Sequence, residues 1–310
     1  MSTQRADGVS ADAEEQPVAS RPQTPGGARA AARRGRKPPP RRRRRDPRGG
    51  SDLTARILVA IPLAAVALAL VIAGGAVLAV GLFVVGALCL HELFAMYESA
   101  RPVRLAAWIA LAALLAAGSA GGPQQVLLTL VICIPLLFAL TVMQAGSGMA
   151  SFSITLVGIV WIGLGLAHAV MLRGLPHGEG VVIDVAVGTF LGDTGAYLGG
   201  RAFGRRRLAP TISPGKTVEG LAIGMATTVA VVWLASRYQE WLPGTHALVL
   251  GLAIAIVAPI GDLFESYVKR EAGSKDSGGV FGAHGGALDR VDAVLFAAVA
   301  GYWVWLAYVH

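Results

Sequence analysis

Residues 124–143, QQVLLTLVICIPLLFALTVM, carry no charged side chain across 20 consecutive positions. A helix rises about 1.5 Å per residue, so a run of about 20 apolar residues matches the roughly 30 Å hydrocarbon core of a bilayer. Working outward, comparable blocks fall at 54–73, 76–97, 105–121, 151–172, 181–200, 218–236, 245–263 and 291–309, which makes nine. Only Gly74 and Gly75 part the first two blocks, and 181–200 contains Asp184 and Asp193, so a count of eight or ten is also compatible. The expected architecture is an all-α, polytopic membrane helical bundle of about nine transmembrane helices. It divides into a tail over 1–52, N-terminal transmembrane helices over 53–180 and a more polar transmembrane region over 181–310.

Composition agrees. Of the 310 residues 54% are hydrophobic and 15% charged, with a mean hydropathy of +0.59. Soluble domains carry about 25% charged residues, so an ordinary soluble enzyme is excluded, as is a chain disordered or fibrous throughout. Cys89 and Cys133 both sit inside apolar blocks, where free thiols act as small hydrophobes, and no disulfide framework is expected.

The formal charge of +8 belongs almost wholly to the tail. Residues 1–52 hold 13 Lys and Arg against 6 Asp and Glu, a net +7, which leaves 14 against 13 in the rest. The tail is rich in Pro, Gly, Ala and Arg, including Pro38 to Pro40 and Arg41 to Arg45, and is read as disordered. Its Arg run would suit anionic headgroups or nucleic acid, but the reading adopted is a topology anchor that keeps the N-terminus cytoplasmic, with no nucleic-acid partner. With the N-terminus inside, nine spans place Arg101, Arg104, Arg201, Arg205, Arg206, Arg207, Lys216, Lys269, Arg270, Lys275 and Arg290 on the cytoplasmic side. Only Arg173 and Arg237 fall opposite.

Outside the tail 27 charged residues remain; seven lie between Asp193 and Glu219 and ten between Asp262 and Asp292. Ionisable groups at span ends usually face a polar cavity, so this clustering points to a site. On a helix continuing beyond 263, Asp262, Glu265, Ser266 and Lys269 share one face, and Asp289 and Asp292 share another at i, i+3. Carboxylates from two helices could hold Mg²⁺; alternatively these acids only pair with neighbouring Lys and Arg as a cytoplasmic rim. Lys275-Asp276-Ser277-Gly278-Gly279 and His284-Gly285-Gly286 could form a phosphate-binding loop or an ordinary turn. In Thr211 to Glu219, Ser213 suits a helix N-cap and Pro214 the first helical position, which would set Lys216 at a phosphate-receiving helix N-terminus. It is not a Walker A loop, because Pro210 stands where that motif needs glycine. Asp193, in Gly192-Asp193-Thr194-Gly195, is a further acid near a span end. His91, Glu92 and His168 are read as structural.

Together these residues resemble a known family. Ser266-Tyr267-Val268-Lys269-Arg270, four further residues, Lys275-Asp276, and then His284-Gly285-Gly286-Ala287-Leu288-Asp289-Arg290-Val291-Asp292 resemble the C-terminal signature of the phosphatidate cytidylyltransferases, also called CDP-diglyceride synthetases. The one departure in this 27-residue pattern is Ala287, where the family has a larger aliphatic residue. Ser213-Pro214-Gly215-Lys216-Thr217, Gly192-Asp193-Thr194-Gly195 and Gly261-Asp262-Leu263-Phe264-Glu265-Ser266 are similar to its upstream segments. The likeness is at motif level over 188–292, at hydropathy level over 53–187, and absent from the tail.

The resemblance implies an integral membrane enzyme that condenses CTP with phosphatidate to give CDP-diacylglycerol and pyrophosphate, with Mg²⁺ required and 181–310 as its catalytic region. It implies Asp262 and Asp289 as metal ligands with Asp193 as a third. Lys216, Lys269 and Arg270 join the two aspartates as catalytic groups. Substrate contacts would come from Ser213, Lys216, Thr217, Lys269, Arg270, Lys275, Asp276, His284, Gly285, Gly286 and Arg290. The expected partners are CTP, phosphatidate and membrane lipids, with a homodimer allowed, and the expected location is the plasma membrane. A transporter or channel with intramembrane acids is the competing class. A CDP-alcohol phosphotransferase is disfavoured, because its Asp-Gly-x-x-Ala-Arg string does not occur.

Overall fold

The computed structural model describes residues 49–144, 146, 148–274, 277–278 and 286–309. The tail up to residue 48 lies outside the described residues, as do Lys275, Asp276, His284 and Gly285. The described residues form ten α-helices in one packed unit: α1 Gly49–Ala73, α2 Gly75–Met96, α3 Arg104–Ala120, α4 Pro123–Met143, α5 Met149–Gly158, α6 Leu164–Gly174, α7 Gly178–Phe203, α8 Val218–Ala235, α9 Gly244–Glu271 and α10 Leu288–Val309. A π-helical turn, Ile159–Gly163, joins α5 and α6 into one continuous rod.

The helix boundaries follow local chemistry. Gly74 and Gly75, at φ 60° and 50°, take the left-handed conformation that glycine tolerates, and so separate α1 from α2. Pro123 opens α4, where its missing N–H costs nothing. α9 runs on through Lys269 and Arg270 to Glu271, as the charge pattern predicts.

Among the described residues seven helical stretches are long and apolar enough to cross a membrane: Gly75–Met96, Pro123–Met143, Met149–Gly174, Gly178–Phe203, Val218–Ala235, Gly244–Glu271 and Leu288–Val309. Of the two other expected blocks, 54–73 lies within α1 and 105–121 corresponds to the shorter apolar helix Arg104–Ala120. α3 is nonetheless central, with Ala107, Leu111 and Leu114 fully buried. α4 faces outward: Leu127, Leu128, Ile132 and Phe138 are each about 60% exposed, a face tolerable only in lipid. The molecule is an all-α polytopic membrane protein. Cys89 and Cys133 are buried free thiols.

One element departs from the helical plan. Between α7 and α8 lies an antiparallel hairpin, β1 Arg207–Ala209 and β2 Ser213–Thr217, with Arg207 opposite Thr217 and Ala209 opposite Ser213. The sequence predicts Ser213 as N-cap and Pro214 as the first helical residue; in the structure both lie in β2, and Thr217 caps α8 by accepting the Gly220 N–H at 3.1 Å. The Ser-Pro signal is local, whereas the hairpin is selected by pairing with residues upstream, which sequence spacing does not reveal. α7 and α8 themselves pack backbone to backbone. A Cβ at Gly220 would stand 2.7 Å from the Ala196 carbonyl oxygen, and one at Gly224 would stand 2.8 Å from that of Gly192.

Candidate functional site

α7, the hairpin, α8 and α9 enclose a cavity of about 670 Å³. Its polar lining includes Asp193 from α7, Ser213, Lys216 and Thr217 from β2, and Asp262 from α9, with Arg201, Arg205 and Arg207 along the α7–β1 edge. The hairpin is braced on three sides. The Glu219 carboxylate accepts the backbone N–H groups of Arg205 at 2.9 Å and Arg206 at 3.1 Å, and Arg207 donates to the Pro214 carbonyl at 2.6 Å. Arg270 reaches from α9 to donate to the Ile212 carbonyl at 3.2 Å, so it ties down the hairpin turn rather than lining the cavity. Lys216 is thereby delivered to Asp262, with which it forms an ion pair.

Asp262 belongs to a second group. One carboxylate oxygen from each of Asp262, Glu265 and Asp292 lies within 4.8 Å of the others, with Glu265 and Asp292 buried. Among the described residues Glu265 Oε1 is buried and has no hydrogen-bond partner. Its other oxygen takes Lys269 at 2.6 Å, and Lys269 reaches Asp289 at 2.9 Å. The second oxygen of Asp289 accepts the Gly286 N–H at 3.0 Å. Asp289 is held by a cation and a backbone donor and also touches Glu265, while Asp292, one helical turn on, completes the cluster with Asp262 and Glu265.

Of the residues singled out from sequence, the fold brings Asp193, Ser213, Lys216, Thr217 and Asp262 to one cavity wall. Lys269 and Asp289 adjoin it through Glu265. Arg290 is exposed on the first turn of α10, and Gly286 is spent on Asp289. Glu265 and Asp292 were recognisable as acids on the right helical faces, but the i, i+3 spacing of Asp289 and Asp292 does not say which one Lys269 will take up. His168 is structural, its Nδ1 2.8 Å from the Leu164 carbonyl oxygen. Glu92 is also engaged internally: its carboxylate accepts the N–H groups of Ala287 at 3.0 Å and Leu288 at 2.9 Å, at the start of α10.

The donor set fits a hard divalent cation. Three carboxylates drawn together repel one another, an unpaired buried oxygen lacks a donor, and Mg²⁺ prefers carboxylate oxygens with water and phosphate completing its shell. Lys216 and three arginines line the same cavity, so cations stand beside the acids.

Comparison with known proteins identifies the family. The model of the cytidylyltransferase family matches residues 54–308. The chain is 39% identical over 126 residues to a phosphatidate cytidylyltransferase of Haemophilus influenzae, covering 39% of this chain and 44% of that protein. It is 40% identical over 146 residues to the one of Brucella suis, covering 47% and 54%, and 33% identical over 161 residues to the one of Mycobacterium bovis, covering 51% of each. The matched region thus spans about half the length of these curated relatives. With a family match running from the first apolar helix to the last, this chain belongs to the cytidylyltransferase family.

Proposed function

We propose that this protein is a phosphatidate cytidylyltransferase that condenses CTP with phosphatidate, giving CDP-diacylglycerol and pyrophosphate. The observation that carries the reading is the meeting of a polar and an apolar cavity at one residue. The cavity holding Lys216 and Asp262 shares Met225 with an apolar groove between α8 and α9, lined by Val229, Trp233, Leu248 and Leu252. Leu248 and Leu252 are about half exposed on the lipid-facing surface, so an acyl chain in the leaflet could lie against them while its phosphate enters the polar side.

In this reading an oxygen of the phosphatidate phosphate attacks the α-phosphorus of CTP, a new P–O bond forms, and the bond to the β-phosphate breaks to release pyrophosphate. The attacking oxygen is already anionic near neutral pH, so no base is required. The barrier is charge, and the chain lowers it by positioning and electrostatics. Lys216, with Ser213 and Thr217 beside it, faces the phosphates, and Arg201, Arg205 and Arg207 offset charge at the mouth. Lys269, taken up by Glu265 and Asp289, orders the acids. Asp262, Glu265 and Asp292 would hold Mg²⁺, with Asp193 on the same cavity wall as a further acid; when bound, the ion supplies charge neutralisation for the polyphosphate.

The same proposal places the N-terminus in the cytoplasm and the protein in the plasma membrane, with α1 and α3 completing nine crossings. Positive charge supports it: in that orientation Lys216, Lys269, Arg270 and the α7–β1 arginines share the side from which CTP arrives. Purified protein in detergent should release pyrophosphate only when both CTP and phosphatidate are present. Release with either substrate alone, or none with both at millimolar Mg²⁺, would dismiss the assignment.

A further inference from the structure

Glu92 lies in the second turn from the end of α2, is 2% exposed, and pairs with no Lys or Arg among the described residues. A carboxylate buried without a cation must be satisfied by hydrogen bonds. Here the donors come from 185 to 196 residues away: Ala287 N–H to Oε1 at 3.0 Å, Leu288 N–H to Oε2 at 2.9 Å, and the Ser277 hydroxyl to Oε2 at 3.5 Å. Ala287 and Leu288 supply unpaired N–H groups at the positive end of α10, where an anion is favoured.

Two glycines show how tightly the chain closes on this group. A Cβ at Gly278 would stand 2.7 Å from Glu92 Oε1, and a Cβ at Gly286 would collide with Oε2. The backbone therefore wraps the carboxylate from both Gly278 and Gly286, with no room for a side chain at either. Gly286 in turn donates to Asp289, and Asp292, one turn further along the same helix, meets Asp262 and Glu265.

We infer that Glu92 is a positioning residue for the transfer reaction: by accepting the first N–H groups of α10, it sets the height and rotation at which Asp289 and Asp292 meet the acids of α9. α2 thus fixes part of a site to which it contributes no lining residue. The kinetic consequence rests on the activity proposed above, whereas the structural one does not.

The test compares full-length Glu92→Gln and Glu92→Asp with wild type, using Leu137→Ala as a control. Leu137 is fully buried in α4, outside the capping hydrogen bonds of α10, so its truncation reports generic destabilisation. Hydrogen exchange followed by mass spectrometry should show amides in 286–292 of Glu92→Gln exchanging about tenfold faster, with α4 and α8 unchanged, because one carboxylate oxygen becomes an amide facing an N–H donor. Glu92→Asp, which keeps the charge, should recover part of that protection. Per folded protein, kcat of Glu92→Gln should fall about tenfold while KM for CTP moves less than about threefold, since the acids are displaced but the phosphate-facing cations are not. Wild-type exchange at 286–292 in Glu92→Gln, or kcat losses matching Leu137→Ala, would overturn the inference. If the wild-type protein shows no cytidylyl transfer, the proposed function fails, and exchange at 286–292 still decides the role of Glu92.

Discussion

Asp289→Asn and Asp292→Asn should separate sharply, although the two residues lie three positions apart on one helix face. Asp292 is 8% exposed and contributes an oxygen to the cluster with Asp262 and Glu265, so its amide replaces a proposed metal-ligating oxygen with a weaker ligand and removes a charge where the polyphosphate is neutralised. Losing one such electrostatic contact in a preorganised site costs about 10³-fold in kcat, or about 4 kcal/mol. Asp289 acts at one remove. Its oxygens hold Lys269 and the Gly286 N–H, and Lys269 keeps Glu265 at 2.6 Å when Asp289 is neutralised, so no buried charge is stranded. An outer-sphere partner of this kind costs about 10- to 100-fold. Pyrophosphate release in detergent, with Mg²⁺ titrated at saturating CTP and phosphatidate, would show the Mg²⁺ requirement rising for Asp292→Asn and staying near wild type for Asp289→Asn. The reasoning is refuted if Asp289→Asn is the more damaging variant, or if it alone shifts the Mg²⁺ titration.

Lys216→Ala should raise KM for at least one phosphate substrate, because it removes the cation that β2 delivers to the cavity beside Asp262; unchanged KM for both CTP and phosphatidate would remove its substrate role. Gly224→Ala should cost about 1–3 kcal/mol, since its Cβ meets the Gly192 carbonyl at 2.8 Å and the backbone must part, whereas Gly174→Ala, whose Cβ meets nothing within 4 Å, should leave thermal melting in detergent unchanged.

Hydropathy alone locates the helices of this protein well, because lipid enforces a single requirement on every span: apolar side chains outside and backbone hydrogen bonds satisfied within. Each apolar block has its helix in the structure, and α9 extends past its block as Asp262, Glu265 and Lys269 indicate. Among the described residues seven of the expected blocks are long and apolar enough to cross a membrane, and α3, whose 17 residues are largely buried against neighbours, falls just below that length. The hairpin was illegible because Ser213, Pro214 and Thr217 satisfy helix-start rules as readily as strand pairing, and only the partner strand distinguishes them.

By itself, the sequence determined the class of molecule and the pool of chemical groups: a multi-span helical protein whose few charges outside the tail gather in two segments, 193–219 and 262–292. Those properties are local or periodic, and the chain states them directly. Which acids gather, and how each is partnered, was decided by tertiary structure. Lys269 bridges Glu265 and Asp289, Asp292 joins Asp262 and Glu265, and Glu92 of α2 caps a helix that begins about 195 residues later. Each outcome depends on the rotation of one helix against another, and that rotation is set by packing of the whole bundle rather than by the spacing of residues within any one span.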